Sequence, residues 1–145
     1  MLEYFSKNAT IELGGIGAES IVPFNNQRLL KGCTTIMSGN TAQINKCGVY
    51  EVEYDLCFEA SAAADITFTL YVDGVAQPQS VRTVSVSGAD VFVTTHLSTY
   101  VPKQDNNCRC NPCTAPTNIY LSVSASVADT EVNFVTTDIQ VYKVA

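Results

Sequence analysis

From Tyr50 to Glu59 the chain alternates apolar and polar residues without a break: Tyr50, Val52, Tyr54, Leu56 and Phe58 fall on one side, Glu51, Glu53, Asp55, Cys57 and Glu59 on the other. Successive side chains of a strand point to opposite faces, so this period of two predicts a strand with an inward apolar face and an outward acidic one. Ile66, Phe68, Leu70 and Val72 alternate in the same way with Thr67, Thr69, Tyr71 and Asp73, and the run ends at Asp73-Gly74, a dipeptide suited to a tight hairpin. Pro78 then implies an edge or bulge before a strand from Ser80 to Ser87. From Val91 to Val101, Val91, Val93, Leu97 and Val101 oppose Phe92, Thr94, His96 and Tyr100, so bulk on both faces predicts a strand covered on two sides. Ile119, Leu121, Val123, Ala125 and Val127 define another strand, and Glu131 to Val144 a last one that changes phase near Thr136-Thr137.

Upstream, Cys33 to Met37 and Thr41 to Lys46 flank the turn Ser38-Gly39-Asn40. Thr10 to Leu13 and Glu19 to Phe24 are short strand candidates on either side of Gly14-Gly15-Ile16-Gly17. No helical period stands out. About eight to ten short strands at regular spacing predict an all-β sandwich or barrel.

At 145 residues the chain is expected to form one main domain over residues 21–145, with residues 1–20 as an N-terminal tether or an added strand. Charged residues make up only 15 % of it, against about 25 % in an ordinary soluble domain. The surface is therefore built from hydroxyl and amide side chains, or part of it is covered by partner subunits. The formal net charge of −6, with eight scattered Lys and Arg, argues against nucleic acid as a partner, because phosphate binding needs clustered cations. No run approaches the roughly 20 apolar residues of a membrane-spanning helix, and Met1 to Lys7 does not read as a secretory signal.

Candidate chemistry is sparse. Cys108, Cys110 and Cys113 put three thiols within six residues, and with Cys57 or His96 as a fourth ligand they make a weak structural zinc candidate. No other cofactor is expected. The competing reading is a disulfide-stapled loop, and Cys33 and Cys47 sit near the open end of one predicted hairpin, where they could pair; six cysteines permit 15 connectivities. A catalytic site is not expected. His96 is the only histidine, no Gly-x-Ser-x-Gly elbow exists, the acidic row reads as a solvated sheet face, and the Gly14 to Gly17 segment lacks the Lys of a phosphate loop.

Gly48-Val49-Tyr50-Glu51-Val52 and the strand ending in Val72-Asp73-Gly74-Val75 resemble the strand and hairpin motifs of the tumour-necrosis-factor and complement-globular-head superfamily. Ile21 to Asn25 is similar to an early strand of that superfamily, and Ile139 to Val144 to its last central strand. The nearest likeness is to short phage virion knobs and bacterial spore-surface knob domains. What the resemblance implies is an antiparallel jelly-roll β-sandwich that assembles as a homotrimer, with one sheet face covered by neighbouring subunits, which would account for the missing charge. No Gly-X-Y tract or heptad shaft is present, so a compact trimeric capsid decoration or head-fibre knob is expected rather than the tip of a long filament. Its expected place is the virion, assembled in the bacterial cytoplasm with capsid or fibre components as partners. The alternative is an adhesin-like knob of a phage, spore or cell surface that binds a host glycan or receptor through Asn106, Asn107 and Arg109 of the loop Pro102 to Asn118.

Overall fold

The computed structural model describes residues 1–31, 35–103 and 116–145. Within them lie twelve strands and a single turn of 3-10 helix at Pro78–Ser80. In chain order the strands are β1 (Leu2–Glu12), β2 (Ser20–Ile21), β3 (Asn26–Leu30), β4 (Thr35–Ser38), β5 (Thr41–Ile44) and β6 (Gly48–Ala60). They continue with β7 (Ala64–Val72), β8 (Val75–Ala76), β9 (Arg82–Val86), β10 (Val93–Lys103), β11 (Thr117–Ala125) and β12 (Glu131–Lys143).

Two antiparallel sheets face each other. One has five strands in the order β10-β6-β12-β1-β3; the other runs β4-β5-β11-β7-β8, with β2 also paired to β11 and β9 to β7. The expected all-β sandwich is therefore present, with twelve strands in place of eight to ten because β3, exposed throughout, carries no period and the return strand after Gly74 is divided into β8 and β9. Residues 1–20 contain β1, which is hydrogen-bonded between β12 and β3 in the body of the five-stranded sheet. Val91 and Phe92 precede β10 and are both exposed, so the strand expected from Val91 begins two residues later.

The phase change expected in the last strand occurs as a bulge at Val135, where the register with β6 shifts between Phe134 and Thr136. Val132 and Phe134 point inward before it, and Thr137, Ile139 and Val141 after it. β1 changes phase at the matching position. Asn8, at φ 53°, separates inward Leu2 and Ser6 from Ala9 and Ile11, which pack on the core. A bulge in one strand beside a left-handed residue in its neighbour lets both keep an apolar face inward.

The predicted inward faces of β6 and β7 make the centre of the sandwich. Phe58, Phe68 and Phe134 are all fully buried and meet in a triangle with ring centroids 5.1, 6.1 and 6.2 Å apart. Edge-on and tilted contacts of this kind add to the area that each ring buries. Tyr50 and Tyr54 are buried beside them, and each needs a partner for its hydroxyl. Tyr50 donates to the Lys46 carbonyl at 2.7 Å and Tyr54 to the Ser80 carbonyl at 3.5 Å, while burial pushes the Tyr54 hydroxyl up to about 12. Asp73 and Gly74 take φ 50° and 79°, the positive pair that the tight hairpin between β7 and β8 requires. Gly48, at the head of β6, has φ 150°, and a Cβ there would lie 2.6 Å from the Ala145 carbonyl oxygen.

Candidate functional site

The outer face of the five-stranded sheet collects most of the polar chemistry of the chain. The period of β6 turns Glu51, Glu53, Asp55, Cys57 and Glu59 outward. Registration then sets Tyr100, Ser98, His96 and Thr94 of β10 on one side of that row and Tyr142, Gln140, Asp138, Thr136 and Asn133 of β12 on the other. Cross-strand partners on one face stand about 4.5–5.5 Å apart at Cβ, close enough to pair. His96 Nδ1 lies 2.8 Å from Asp55 Oδ1, Ser98 Oγ donates to Glu51 Oε1 at 2.7 Å, and Asn133 Nδ2 donates to Glu59 Oε1 at 3.0 Å. The hydrogen bonds from Ser98 and then Tyr142 lower the Glu51 carboxyl below its usual range, and the same contact pushes Tyr142 up to about 12.

One row crosses the whole sheet. Arg28 of β3 bonds Glu3 of β1 at 3.1 Å and reaches Asp138 of β12 at 3.5 Å; Asp138 stands directly opposite Asp55, which holds His96. The Arg28 guanidinium also lies 5.2 Å from the centre of the Phe5 ring, a cation–π contact. Asp138 is the strained member. Its Oδ1 is buried with no hydrogen-bond partner, and burial, together with the nearby Glu3 carboxylate, pushes its carboxyl up to about 6 despite Arg28. At the margin of this face Tyr100 of β10 is 61 % exposed opposite the strand's core residues, and Phe92, just ahead of β10, is 62 % exposed.

Cys57 and His96, both weighed as metal ligands, lie on this face and line one pocket of about 300 Å³ with Thr94, Thr95 and Thr136. Cys57 is free and half-buried, and no hydrogen bond joins it to His96. Cys108, Cys110 and Cys113 lie outside the described residues, as do Cys33, Asn106, Asn107 and Arg109. Among the described residues no cluster of three or more His, Cys, Asp or Glu side chains is arranged to hold a metal. Cys57 sits nine residues along β6 from Gly48, which pairs with Lys103, so the last described residue before the cysteine-rich segment lies about 30 Å away along the strand. Cys47 is disulfide-bonded.

The acidic row faces outward as the period of β6 implies, and the register of β10 against β6 brings His96 to it. Glu3, Arg28 and Asp138 were not legible as a group, because they come from three strands that only the topology makes neighbours.

No protein-family model and no curated protein matches the chain. Solved structures do. Eiger TNF from S. frugiperda aligns over 99 % of this chain and 92 % of its own, with TM-score 0.61 and 10 % identity. The PRD1 vertex protein aligns over 99 % of this chain and 72 % of its own, with TM-score 0.54 and 11 % identity. A chain from the infectious bursal disease virus Gt strain aligns over 97 % of this chain and 33 % of its own, with TM-score 0.54 and 14 % identity. The two facing antiparallel sheets and these neighbours agree with the motifs from Gly48 to Val52 and from Val72 to Val75: the chain has the tumour-necrosis-factor-like jelly-roll fold.

Proposed function

We propose that this chain is a non-enzymatic structural protein of a virus particle, a trimeric phage capsid decoration or head-fibre knob whose five-stranded sheet packs against neighbouring subunits. The observation that carries the reading is the outer face of that sheet. It holds Tyr100 more than half exposed, with exposed Phe92 just ahead of β10, while Glu3 is 92 % buried and Asp138 keeps a buried oxygen without a partner. Aromatic residues and Arg are enriched in subunit interfaces, so exposed Tyr100 and the Arg28 guanidinium suit association, while the carboxylates of the row belong at its polar rim. The presence of a phage vertex protein and a viral-particle chain among the structural neighbours supports a virion role. No helix among the described residues is long and apolar enough to cross a membrane.

Sedimentation equilibrium at micromolar concentration tests the assembly, with three chain masses expected. A monomer at that concentration would remove the covering subunits from the account. Immunogold labelling of intact particles from the source tests the location. Label confined to soluble fractions would move the chain off the virion and leave the spore or cell surface as the alternative. The glycan-binding alternative through Asn106, Asn107 and Arg109 falls on residues outside the described ones.

A further inference from the structure

The outer face of the other sheet carries an arrangement that assembly through the five-stranded sheet does not use. Tyr71 of β7 and Tyr120 of β11 are direct cross-strand partners, and their rings lie parallel within 4° with centroids 5.0 Å apart. Tyr71 is held from behind. Its hydroxyl donates to Glu19 Oε2 at 2.6 Å, and Ser122 Oγ reaches the other oxygen of the same carboxylate at 3.4 Å. That bond pushes the Tyr71 hydroxyl up to about 12, so it stays a donor at any physiological pH.

Tyr120 lines a pocket of about 440 Å³, while Tyr71, stacked on one face of the Tyr120 ring, does not line it. Beside Tyr120 stand Asn118, Gln43, Asp73, Thr41 and Ser38. These groups are already oriented. Gln43 Nε2 donates to Asn118 Oδ1 at 3.2 Å, and Asp73 Oδ1 accepts the Asn118 backbone N–H at 2.8 Å. The Gln43 carbonyl, the Asn118 amide hydrogens, the second Asp73 oxygen and two hydroxyls are left to face the pocket, a mixed set of donors and acceptors.

We propose that this pocket is a binding site for a neutral pyranose sugar, with Tyr120 stacking on the apolar C–H face of the ring and Gln43, Asn118 and Asp73 bonding its hydroxyls. The chemistry selects that class. A pyranose presents one apolar face and a rim of hydroxyls that both donate and accept, which an aromatic ring beside planar amides and a carboxylate matches. Among the described residues no cation lines the pocket, so a phosphate or an acidic sugar would meet Asp73 without a counter-charge from them. The amides and the stacked ring are fixed before a ligand arrives, so little ordering entropy opposes binding. The inference does not rest on the trimer reading, since it uses the opposite sheet and a single chain.

The test is a ¹H–¹⁵N NMR titration of the full chain with methyl glycosides of glucose, galactose, mannose and N-acetylglucosamine, each to tens of millimolar. At least one glycoside is expected to shift the side-chain amides of Gln43 and Asn118 and the backbone of Gly74 and Tyr120, with a dissociation constant of about 1–10 mM, as suits a shallow open site. Tyr120→Leu and Gln43→Ala should each weaken that binding about tenfold, whereas Tyr71→Phe, which keeps the stack and loses only the Glu19 bond, should weaken it less. The dispersed amide spectrum of each variant reports its folding, and Gln43→Ala carries the test if Tyr120→Leu does not fold. Silence of these amides with all four glycosides overturns the proposal. So does binding that survives both substitutions or that depends on Asn106, Asn107 and Arg109 instead.

Discussion

Replacing Asp138 by Asn removes the one carboxylate on the five-stranded sheet that folding holds under strain. In the folded chain its carboxyl is pushed from 3.8 up to about 6, first by burial and then by Glu3, with Arg28 opposing. A raised folded-state value means the native chain holds this proton more tightly than the unfolded chain does. The associated stability is fully present below the unfolded value and is lost as pH rises through about 6. At about 1.4 kcal/mol per pH unit the span corresponds to about 3 kcal/mol. The Asp138 side chain is 24 % exposed and Arg28 more than half exposed, so solvent screening reduces the expectation to about 1–2 kcal/mol. Asp138→Asn should therefore raise stability by about 1–2 kcal/mol at pH 7.5 and by only about a third of that at pH 4.5, where the native carboxyl is protonated and only the unfolded one is ionised. The assay is urea unfolding of both proteins at the two pH values and one fixed protein concentration, because any oligomer makes the midpoint concentration-dependent. Comparing the proteins at each pH subtracts the other carboxylates. A variant no more stable than the parent at pH 7.5, or a gap of the same size at pH 4.5, would show that Asp138 is not strained in the folded chain.

Phe68→Ala empties the middle of the aromatic triangle and should cost about 3–5 kcal/mol, read as a lower urea midpoint with an unchanged slope. Gly48→Ala drives a Cβ against the Ala145 carbonyl oxygen in a backbone conformation that L residues avoid; a loss of about 1–3 kcal/mol in thermal unfolding is expected, and a neutral result would mean that the C-terminal residues move aside freely. Tyr100→Asp places a charge on the exposed margin of the proposed subunit interface, and should shift sedimentation from trimer to monomer while leaving the far-ultraviolet circular dichroism unchanged.

The residues that could be read from the chain are those whose partners are set by a local period. Tyr50 to Phe58 and Ile66 to Leu70 alternate because each strand has one face in the core, and their burial follows directly. Asp73-Gly74 was legible for another local reason, the positive φ that the turn imposes. β1 was not. Tyr4 and Phe5 are consecutive aromatic residues, Glu3 and Ser6 are buried polar ones, and Asn8 reverses the phase, so no single period runs from Leu2 to Glu12. β3 shows no alternation at all, since every one of its residues is exposed. The candidate sites divide in the same way. The Glu51 to Glu59 row lies on one strand and could be seen in advance. The Arg28, Glu3 and Asp138 group and the Tyr71 and Tyr120 stack exist only through strand order and register, which composition and spacing do not encode.

The low charge of the chain also has a structural resolution, because the charges are unevenly divided between the two outer faces. Glu3, Arg28, Glu51, Glu53, Asp55, Glu59, His96 and Asp138 crowd the five-stranded sheet, many of them already bonded to one another. The outer face of the other sheet carries fewer charges, Glu19, Asp65 and Asp73, set among hydroxyls and amides: Thr67 bonds Thr83 at 3.0 Å, Gln43 bonds Asn118, and Tyr71 stacks on Tyr120. Exposed aromatic residues suit a face that becomes buried, with the paired charges kept at its wetter rim. Neutral hydroxyls suit a face that stays in water, since they remain solvated without net charge and meet a polyhydroxylated surface on equal terms. Assembly through the first face would thus leave the second one outward on every subunit, and several shallow sites on one particle would bind together far more tightly than one alone. Particles or trimers bearing Tyr120→Leu should therefore lose retention on a polysaccharide matrix more steeply than the single-site affinity falls, whereas equal losses would mean that the sites act singly.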